Sequence, residues 1–269
     1  MTDAAPYEVF AVRYATVERH SAENFIGGDP HETAAHMDYF VWLIRNAQRT
    51  IVVDTGFDEA AAQRRKRTFL RPPTEGLKLL GVDPNTVEDV IVTHLHYDHA
   101  GNLARFPKAR FHLQDREMAY ATGRYMGIPF FSGAYECDDV VTAVRLAYGG
   151  RVMFHDGESE IAPGVTVHRI GGHTRGLQAV KVSTRSGWLV LASDAAHYFA
   201  NMLENRPFPI VADVTEMADG WRKLRDLARG DVERIIPGHD PLVMARYPAP
   251  APELEGVAVR LTAPLEGRS

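Results

Sequence analysis

The stretch of sequence that decides the fold is Val90-Ile91-Val92-Thr93-His94-Leu95-His96-Tyr97-Asp98-His99-Ala100-Gly101-Asn102. Its apolar start predicts a buried strand, and four side chains able to bind a metal ion follow it directly. Residues two apart in an extended chain point to the same face, so His94 and His96 can reach one ion, and their imidazoles suit zinc and similar metals. A turn into a helix near Asp98 would direct Asp98 and His99 towards a second ion. Taken alone, the stretch also fits a His-rich surface loop in which Asp98 caps a helix.

Three further residues of metal-ligand type stand where other apolar strands are predicted to end. They are His173 after residues 165–170, Asp194 after residues 188–193 and His239 after residues 235–237. A buried carboxylate or imidazole at such a place is costly unless it is paired or bound to a metal. Because four separate strand ends carry such residues, the sequence predicts a metal site assembled from all of them.

Composition excludes several classes of protein. The chain has 269 residues, 45% of them hydrophobic, and its 30 Lys and Arg against 35 Asp and Glu leave no overall attraction to nucleic acid or anionic lipid. The basic run 64–67 is interpreted as a solvated face of a helix. A single cysteine, Cys137, excludes an intrachain disulfide, and neither a signal peptide nor an apolar run of about 20 residues is visible. We therefore expect a cytoplasmic protein that binds neither nucleic acid nor membrane.

The pattern of apolar residues predicts a layered α/β fold in a single domain spanning 1–269. Strands are predicted at 7–14, 39–44, 50–54, 89–93, 110–113, 165–170, 178–183 and 188–193. Helices are predicted at 115–121, 137–148 and 216–229, and the tail from about 247 to 269 is expected to be extended. Two long connections, 15–37 and 121–136, are apolar enough to form either the wall of a substrate pocket or a satellite hydrophobic cluster. The candidates for such a wall are Phe25, Ile26, Phe130, Phe131 and Phe199.

The motif His-x-His-x-Asp-His at 94–99, with Asp54-Thr55-Gly56 after an early strand, resembles the metallo-β-lactamase superfamily. The resemblance implies an αββα sandwich in which two mixed sheets are flanked by helices. It also implies two Zn²⁺ ions, the first held by His94, His96 and His173, the second by Asp98, His99 and His239, and both by a bridging Asp194. By the same resemblance, Asp54 orients ligands through hydrogen bonds.

Within that superfamily the chain is most similar to N-acyl-homoserine lactonases, the quorum-quenching lactonases. β-Lactamases of this fold have Cys where Asp194 stands, and flavodiiron proteins have a carboxylate where His96 stands. Glyoxalase II adds a helical domain for which the 30 residues after His239 are too few. The resemblance implies that a hydroxide bridging the metals attacks a small-molecule lactone or ester, and that Asp98 passes a proton to the leaving alkoxide.

The chain departs from the lactonase pattern three residues after the bridging aspartate. Well-studied lactonases have a tyrosine there that donates a hydrogen bond to the substrate carbonyl, whereas this chain has His197 followed by Tyr198. We favour Tyr198 as the donor because Phe199 beside it suggests an apolar pocket entrance, and His197 is the alternative.

Other functions stay open at this level. A hydrolase of a thioester, a cyclic amide or another small ester would use the same metal site. A non-catalytic metal-binding protein is disfavoured because all seven ligands are intact, and the sequence leaves open whether the chain forms a homodimer.

Overall fold

Two mixed β-sheets form the centre of the computed structural model, which describes residues 5–29, 31 and 34–262. The first sheet contains β1 (Glu8–His20), β2 (Ala34–Arg45), β3 (Thr50–Val53), β4 (Thr68–Phe69), β5 (Asp89–Ile91), β6 (Arg110–Gln114), β7 (Val152–His155) and β13 (Ala258–Arg260). The second sheet contains β8 (Glu158–Ala162), β9 (Val165–Arg169), β10 (Gln178–Thr184), β11 (Gly187–Ser193) and β12 (Ile235–Pro237). The predicted α/β class with two mixed sheets is confirmed.

Each sheet has an antiparallel part and a parallel part. The first follows the order β13-β1-β2-β3-β5-β6-β7, with β4 beside β1, and its strands from β3 to β7 are parallel. The second follows the order β12-β11-β10-β9-β8, in which only β11 and β12 are parallel. Parallel strands are normally covered on both faces, and the fully buried Val90 and Ile91 of β5 follow that rule.

Helices flank the two sheets. They are α1 (Glu59–Arg65), α2 (Pro73–Leu79), α3 (Tyr97–Ala100), α4 (Asp115–Ala121), α5 (Pro129–Ser132), α6 (Cys137–Tyr148), α7 (Phe199–Leu203), α8 (Val214–Leu227) and α9 (Leu242–Arg246). The predictions of α4 and α6 are confirmed, and α8 begins two residues before its predicted start because Asp213 caps it by accepting from the amides of Thr215 and Glu216. Within the described residues, no helix combines the length and apolarity that crossing a membrane requires.

The two sheets are joined by hydrogen bonds where β5 ends and β10 begins. The backbone amide of Gln178 donates to the carbonyl of Thr93 at 3.0 Å, and its side-chain amide donates to the carbonyl of Val92 at 2.8 Å. Gln178 is fully buried, so these bonds form away from water, where leaving them unmade would be expensive. They hold the metal-ligand motif that follows β5 against the second sheet.

The connection 15–37 is more regular than predicted. Strand β1 continues to His20 and β2 begins at Ala34, and the two pair antiparallel from Thr16 with Asp38 to His20 with Ala34. The alternation that marks a strand is hard to see here because polar or charged side chains occupy most positions after Val17. The irregular part of this connection is therefore confined to the residues between the two strands.

The C-terminal segment also packs more closely than an extended surface tail. Leu254, Val259 and Leu261 are buried, and β13 pairs antiparallel with β1 at the edge of the first sheet. The buried apolar side chains account for this docking, since burial of each contributes about 1.5–3 kcal/mol. Residues 263–269 of the predicted tail lie outside the described residues.

We expect truncation after Glu255 to lower the free energy of unfolding by at least about 3 kcal/mol, because it removes buried Val257, Val259 and Leu261 and exposes the edge of β1. Urea denaturation monitored by circular dichroism measures this loss. A second truncation after Thr262 separates the effect of β13 from that of the residues after it. Equal stability of the two truncated proteins would contradict a structural role for β13.

Candidate functional site

The four segments that carry the predicted ligands meet where the strands of both sheets end. Strands β9, β11 and β12 run in the same direction, so His173, Asp194 and His239, which follow them, emerge at the same end of the second sheet. The motif after β5 reaches this end through the Gln178 bonds. All seven predicted ligands are buried: His94, His96, Asp98, His99, His173, Asp194 and His239.

Four of these side chains form a first cluster able to hold a metal ion. The ligand atoms of His94, His96, His173 and Asp194 all lie within 4.8 Å of one another. His96 Nδ1 lies 3.0 Å from His94 Nε2 and 2.9 Å from His173 Nε2. Three imidazoles and one carboxylate are a donor set typical of zinc.

A second cluster contains Asp98, His99 and His239, whose ligand atoms also lie within 4.8 Å of one another. The carboxylate of Asp194 reaches both clusters, because its Oδ2 lies 3.2 Å from His173 Nε2 while its Oδ1 lies 3.2 Å from His99 Nε2 and 3.0 Å from His239 Nε2. Among the described residues, the buried Nε2 atoms of His99 and His239 have no hydrogen-bond partner. Two orphaned nitrogens beside two carboxylates fit a bound cation.

Backbone carbonyls set the orientation of two ligand rings. The Nδ1 of His173 donates to the carbonyl of Ile210 at 2.7 Å, and the Nδ1 of His239 donates to the carbonyl of Asp38 at 2.8 Å. A proton held on Nδ1 leaves the lone pair on Nε2, which is the atom that faces the cluster. These bonds therefore prepare both rings to coordinate a metal.

Asp54 sets the orientation of the His99 ring, as the resemblance to the superfamily implied. Its Oδ2 lies 2.7 Å from His99 Nδ1, and the carboxylate also accepts from the amide of Thr93 at 2.7 Å and the hydroxyl of Thr93 at 2.8 Å. Asp54 has a φ of 62° and Ser193, just before Asp194, has a φ of 48°, which is a left-handed backbone that L-residues rarely adopt. Strain of this kind clusters at functional sites.

Burial and neighbouring charges shift the pKa values of the clustered groups in different directions. Burial lowers the pKa of His94 and His96 well below the ordinary value, so both rings are neutral at pH 7. Burial would raise the pKa of Asp194, but the surrounding histidines, first His197 and His239, hold it well below its ordinary range. The pKa of His99 is raised in spite of its burial because Asp194, Asp54 and Asp98 surround it.

Glu117 is a functional residue that the sequence reasoning missed. This fully buried carboxylate accepts from the amide of Leu95 at 2.9 Å, the hydroxyl of Tyr135 at 3.0 Å, the hydroxyl of Thr174 at 2.5 Å and the amide of Gly176 at 3.1 Å. It thereby ties the loop of His94 and His96 to the loop of His173. The signal in the sequence is its position on the buried stripe of α4.

A cavity of about 260 Å³ lies against the clusters and is lined by His96, Asp98, His173 and Asp194. Phe130 of the predicted pocket wall lines it, whereas Phe25, Ile26, Phe131 and Phe199 do not. Phe25 packs against Tyr198 and Phe199 lies beneath Arg246, so both belong to the surrounding core.

His197 and Tyr198 point to opposite sides of the chain, which corrects our preference for Tyr198. His197 lines the cavity, its Nε2 lies 3.0 Å from Asp194 Oδ2, and its ring stacks on Phe208 with centroids 3.4 Å apart. The hydroxyl of Tyr198 instead donates to the carbonyl of His36 at 3.1 Å, outside the cavity. The backbone is extended at Tyr198, and consecutive side chains of an extended chain face opposite ways. Burial lowers the pKa of His197 to about 3, so its ring is neutral.

The basic run 64–67 is only partly a solvated helix face. Helix α1 ends at Arg65, and Lys66 turns the chain with a left-handed φ of 55°. Arg65 and Arg67 consequently line the cavity, while Arg64 stays largely exposed. A sequence pattern that treats the run as continuous helix cannot show this turn.

Comparison with known proteins places these features in a family. The model of the metallo-beta-lactamase superfamily matches residues 37–239, which include all seven predicted ligands. An N-acyl homoserine lactonase AttM of Azorhizobium caulinodans is 31% identical over 173 residues, which are 61% of this chain and 62% of that protein. An acyl-coenzyme A thioesterase MBLAC2 of Gallus gallus is 25% identical over 74% of this chain and 71% of its own length. A solved quorum-quenching N-acyl homoserine lactone lactonase superposes with a TM-score of 0.75 at 21% identity, covering 90% of this chain and 95% of that one.

We expect Glu117→Gln to lower the free energy of unfolding of the metal-free protein by about 1–3 kcal/mol, because the new amide group faces a buried donor from Leu95 or Gly176. Zinc affinity should fall too, since the two histidine loops lose their common acceptor. Urea denaturation and a competitive zinc titration measure the two effects. Glu75→Gln, an exposed glutamate paired with Lys78, is the control and should change neither. A stable Glu117→Gln protein with unaltered zinc affinity would refute this role.

Proposed function

The chain belongs to the metallo-beta-lactamase superfamily, and from that premise we propose that it is a metal-dependent hydrolase that opens a lactone or a similar small ester. The observation that carries this proposal is the carboxylate of Asp194, which presents one oxygen to each of two buried ligand clusters. The relatives named as N-acyl homoserine lactonases support a lactone as the substrate. Among lactones, an N-acyl-homoserine lactone is the candidate that those names suggest.

We assign the ligands of two Zn²⁺ ions to the two clusters. His94, His96 and His173 would hold one ion, Asp98, His99 and His239 would hold the other, and Asp194 would bridge them. The orphaned nitrogens of the second cluster and the three converging imidazoles of the first support this assignment. A solved dizinc quorum-quenching lactonase shares the fold, with a TM-score of 0.67.

When bound, a pair of such ions activates water as a nucleophile and polarises the carbonyl of the ester. Asp98 lines the cavity, and its Oδ2 lies 3.8 Å from both His99 Nε2 and His239 Nε2. A carboxylate in that place can take a proton from the attacking water and pass it to the alkoxide that forms when the ester bond breaks. The hydroxyl of Tyr14 donates to the backbone carbonyl of Asp98 at 2.8 Å and holds the residue in position.

His197 is the donor that we propose for the carbonyl oxygen of the substrate. Its neutral ring carries a single N–H, which would become available to the substrate once metal ions take up the Asp194 carboxylate that Nε2 contacts at 3.0 Å. Of the two side chains that the sequence offered, it is the one on the cavity wall. Its ring is held flat against Phe208, which leaves it little freedom to rotate. A donor fixed before substrate binds needs no reorganisation during the reaction and is effective for that reason.

A thioester is the second candidate substrate class, because one relative is named an acyl-coenzyme A thioesterase. A cyclic amide or another ester would need the same donors, and a non-catalytic role is disfavoured by the complete ligand set. A cytoplasmic location, the lack of a nucleic-acid partner and a single domain stay predictions from the sequence, which leaves the oligomeric state open.

We expect protein purified without added metal to contain close to two zinc-type ions per chain and to hydrolyse lactones faster than thioesters, phosphodiesters or lactams. Asp194→Ala should lose at least about 10–100-fold in metal affinity, because two clusters lose their shared carboxylate. Elemental analysis and a pH-stat assay over this panel measure both. Asp226→Ala, an exposed residue of α8, is the control. Metal content near zero that zinc does not raise, or full turnover by Asp194→Ala, would refute the proposal.

We expect His197→Ala to lower kcat by about 10²–10³, the usual effect of removing one donor to a developing oxyanion. Tyr198→Phe should leave kcat within about threefold, because its hydroxyl bonds to a backbone carbonyl outside the cavity. Steady-state kinetics at fixed zinc content separates the two, and zinc analysis of each variant shows whether metal was lost. The opposite outcome, a silent His197→Ala and an impaired Tyr198→Phe, would restore the preference drawn from the sequence.

A further inference from the structure

Two arginines on the cavity wall have no carboxylate partner within the described part of the chain. Of the three guanidinium groups that line the cavity, only that of Arg65 is neutralised, by Glu136 at 2.9 Å. Arg19 and Arg67 form no ion pair with any residue that the structure describes. The carboxylates on the same wall, Asp98 and Asp194, belong to the metal-ligand clusters.

Arg67 is held in a defined orientation by hydrogen bonds from two of its three guanidinium nitrogens. Its Nε donates to the hydroxyl of Tyr97 at 3.2 Å, and its Nη1 donates to the carbonyl of Arg65 at 2.8 Å. Its second terminal nitrogen, Nη2, has no partner among the described residues. The side chain is therefore pre-organised to donate to one more acceptor in the cavity, beside Tyr97 and Asp98.

Arg19 lies elsewhere on the cavity wall, beside Phe208. Its Nη2 donates to the carbonyl of Glu23 at 2.8 Å, and its guanidinium lies 5.4 Å from the ring centre of Phe208, the ring on which His197 stacks. The rest of the wall near it is apolar, with Met37 and Ile210. A second positive charge thus faces the cavity across an otherwise apolar surface.

A neutral acyl chain would not need these charges. Half-burying a guanidinium that forms no ion pair is unfavourable, and an anion bound against it would reduce that cost. The cavity of about 260 Å³ is also small beside the roughly 300–1,000 Å³ of most ligand pockets. Size and charge together favour a compact anionic substrate, and a carboxylate is the smallest anionic group that matches a guanidinium fork.

We propose that the substrate of this site is a compact lactone or ester that carries a carboxylate beside the scissile bond, bound by Arg67 with Arg19 contributing a second positive charge. This inference rests on the proposed hydrolase function and narrows its substrate class to lactones or esters that carry a carboxylate, in place of the neutral N-acyl-homoserine lactone. It assigns Arg67 a role in substrate specificity.

The matched substrates for the test are 5-oxotetrahydrofuran-2-carboxylate and its carboxamide, which differ in charge but hardly in size. We expect the zinc-loaded enzyme to prefer the carboxylate at least tenfold in kcat/KM. Arg67→Gln should reduce that preference below about threefold by lowering kcat/KM for the carboxylate more than for the carboxamide, and Arg67→Lys should lie between them because it keeps the charge but loses the fork. Arg64→Gln, from the same basic run but outside the cavity, should behave as the wild type.

A binding measurement separates this inference from the proposed function. Calorimetry compares 2-hydroxyglutarate with 5-amino-4-hydroxy-5-oxopentanoate, the ring-opened forms of the two lactones, on the same zinc-loaded proteins. Tighter binding of the dianion that is lost in Arg67→Gln supports the inference even if no lactone is hydrolysed, an outcome that would refute only the proposed function. Hydrolysis of both lactones with no charge preference, or a preference unchanged in both Arg67→Gln and Arg19→Gln, overturns the inference and leaves the hydrolase function intact.

Discussion

Seven buried side chains able to bind metal can share one site only if their charges balance, and that balance depends on Asp194. Its two oxygens face the two clusters at 3.0–3.2 Å, and the histidines around it hold its pKa far below the ordinary range. A carboxylate that stays ionised in a buried place is a strong ligand for a cation and a strong partner for an imidazole. The positions of β11 and β12, which run parallel and end together, place Asp194 beside His239 and so make this arrangement possible.

Carboxylates and backbone carbonyls behind the predicted ligands hold the ligand side chains in fixed orientations. Asp54 and Glu117 are both fully buried, and each binds several donors from the loops that carry the histidines. Burial raises the pKa of each, although the hydrogen bonds they accept favour the ionised form. Burial of the two carboxylates is unfavourable, and so is the left-handed backbone at Asp54 and Ser193. The hydrogen bonds that Asp54 and Glu117 accept hold the loops that carry the histidines in place. Stability is exchanged here for accurate placement of the ligands.

The sequence predicts the parts of this site that depend on local pattern and misses those that depend on a single backbone turn. The motif at 94–99 lies on a strand end and a short helix, so its spacing alone indicates which side chains converge. Whether His197 or Tyr198 enters the cavity depends on where the extended chain after Asp194 begins, which no periodicity reveals. Glu117 is hidden for a different reason, since its partners lie 18 to 59 residues away and only the fold brings them together.

The basic run 64–67 shows how strongly one residue conformation can change the interpretation of a sequence. If the helix continued through this run, its charged side chains would lie in solvent and would indicate nothing about the site. Lys66 instead adopts a left-handed φ of 55°, and the chain after it carries Arg67 to the hydroxyl of Tyr97. Tyr97 immediately precedes Asp98 in the motif, so the same turn that ends α1 brings a positive charge to the edge of the metal-ligand clusters. The charge of the cavity is therefore a property of the tertiary structure, although the net charge of the chain is −5. An acidic protein can therefore place arginines without an ion pair beside the carboxylates of a cavity, because the fold and not the overall composition decides which side chains meet there.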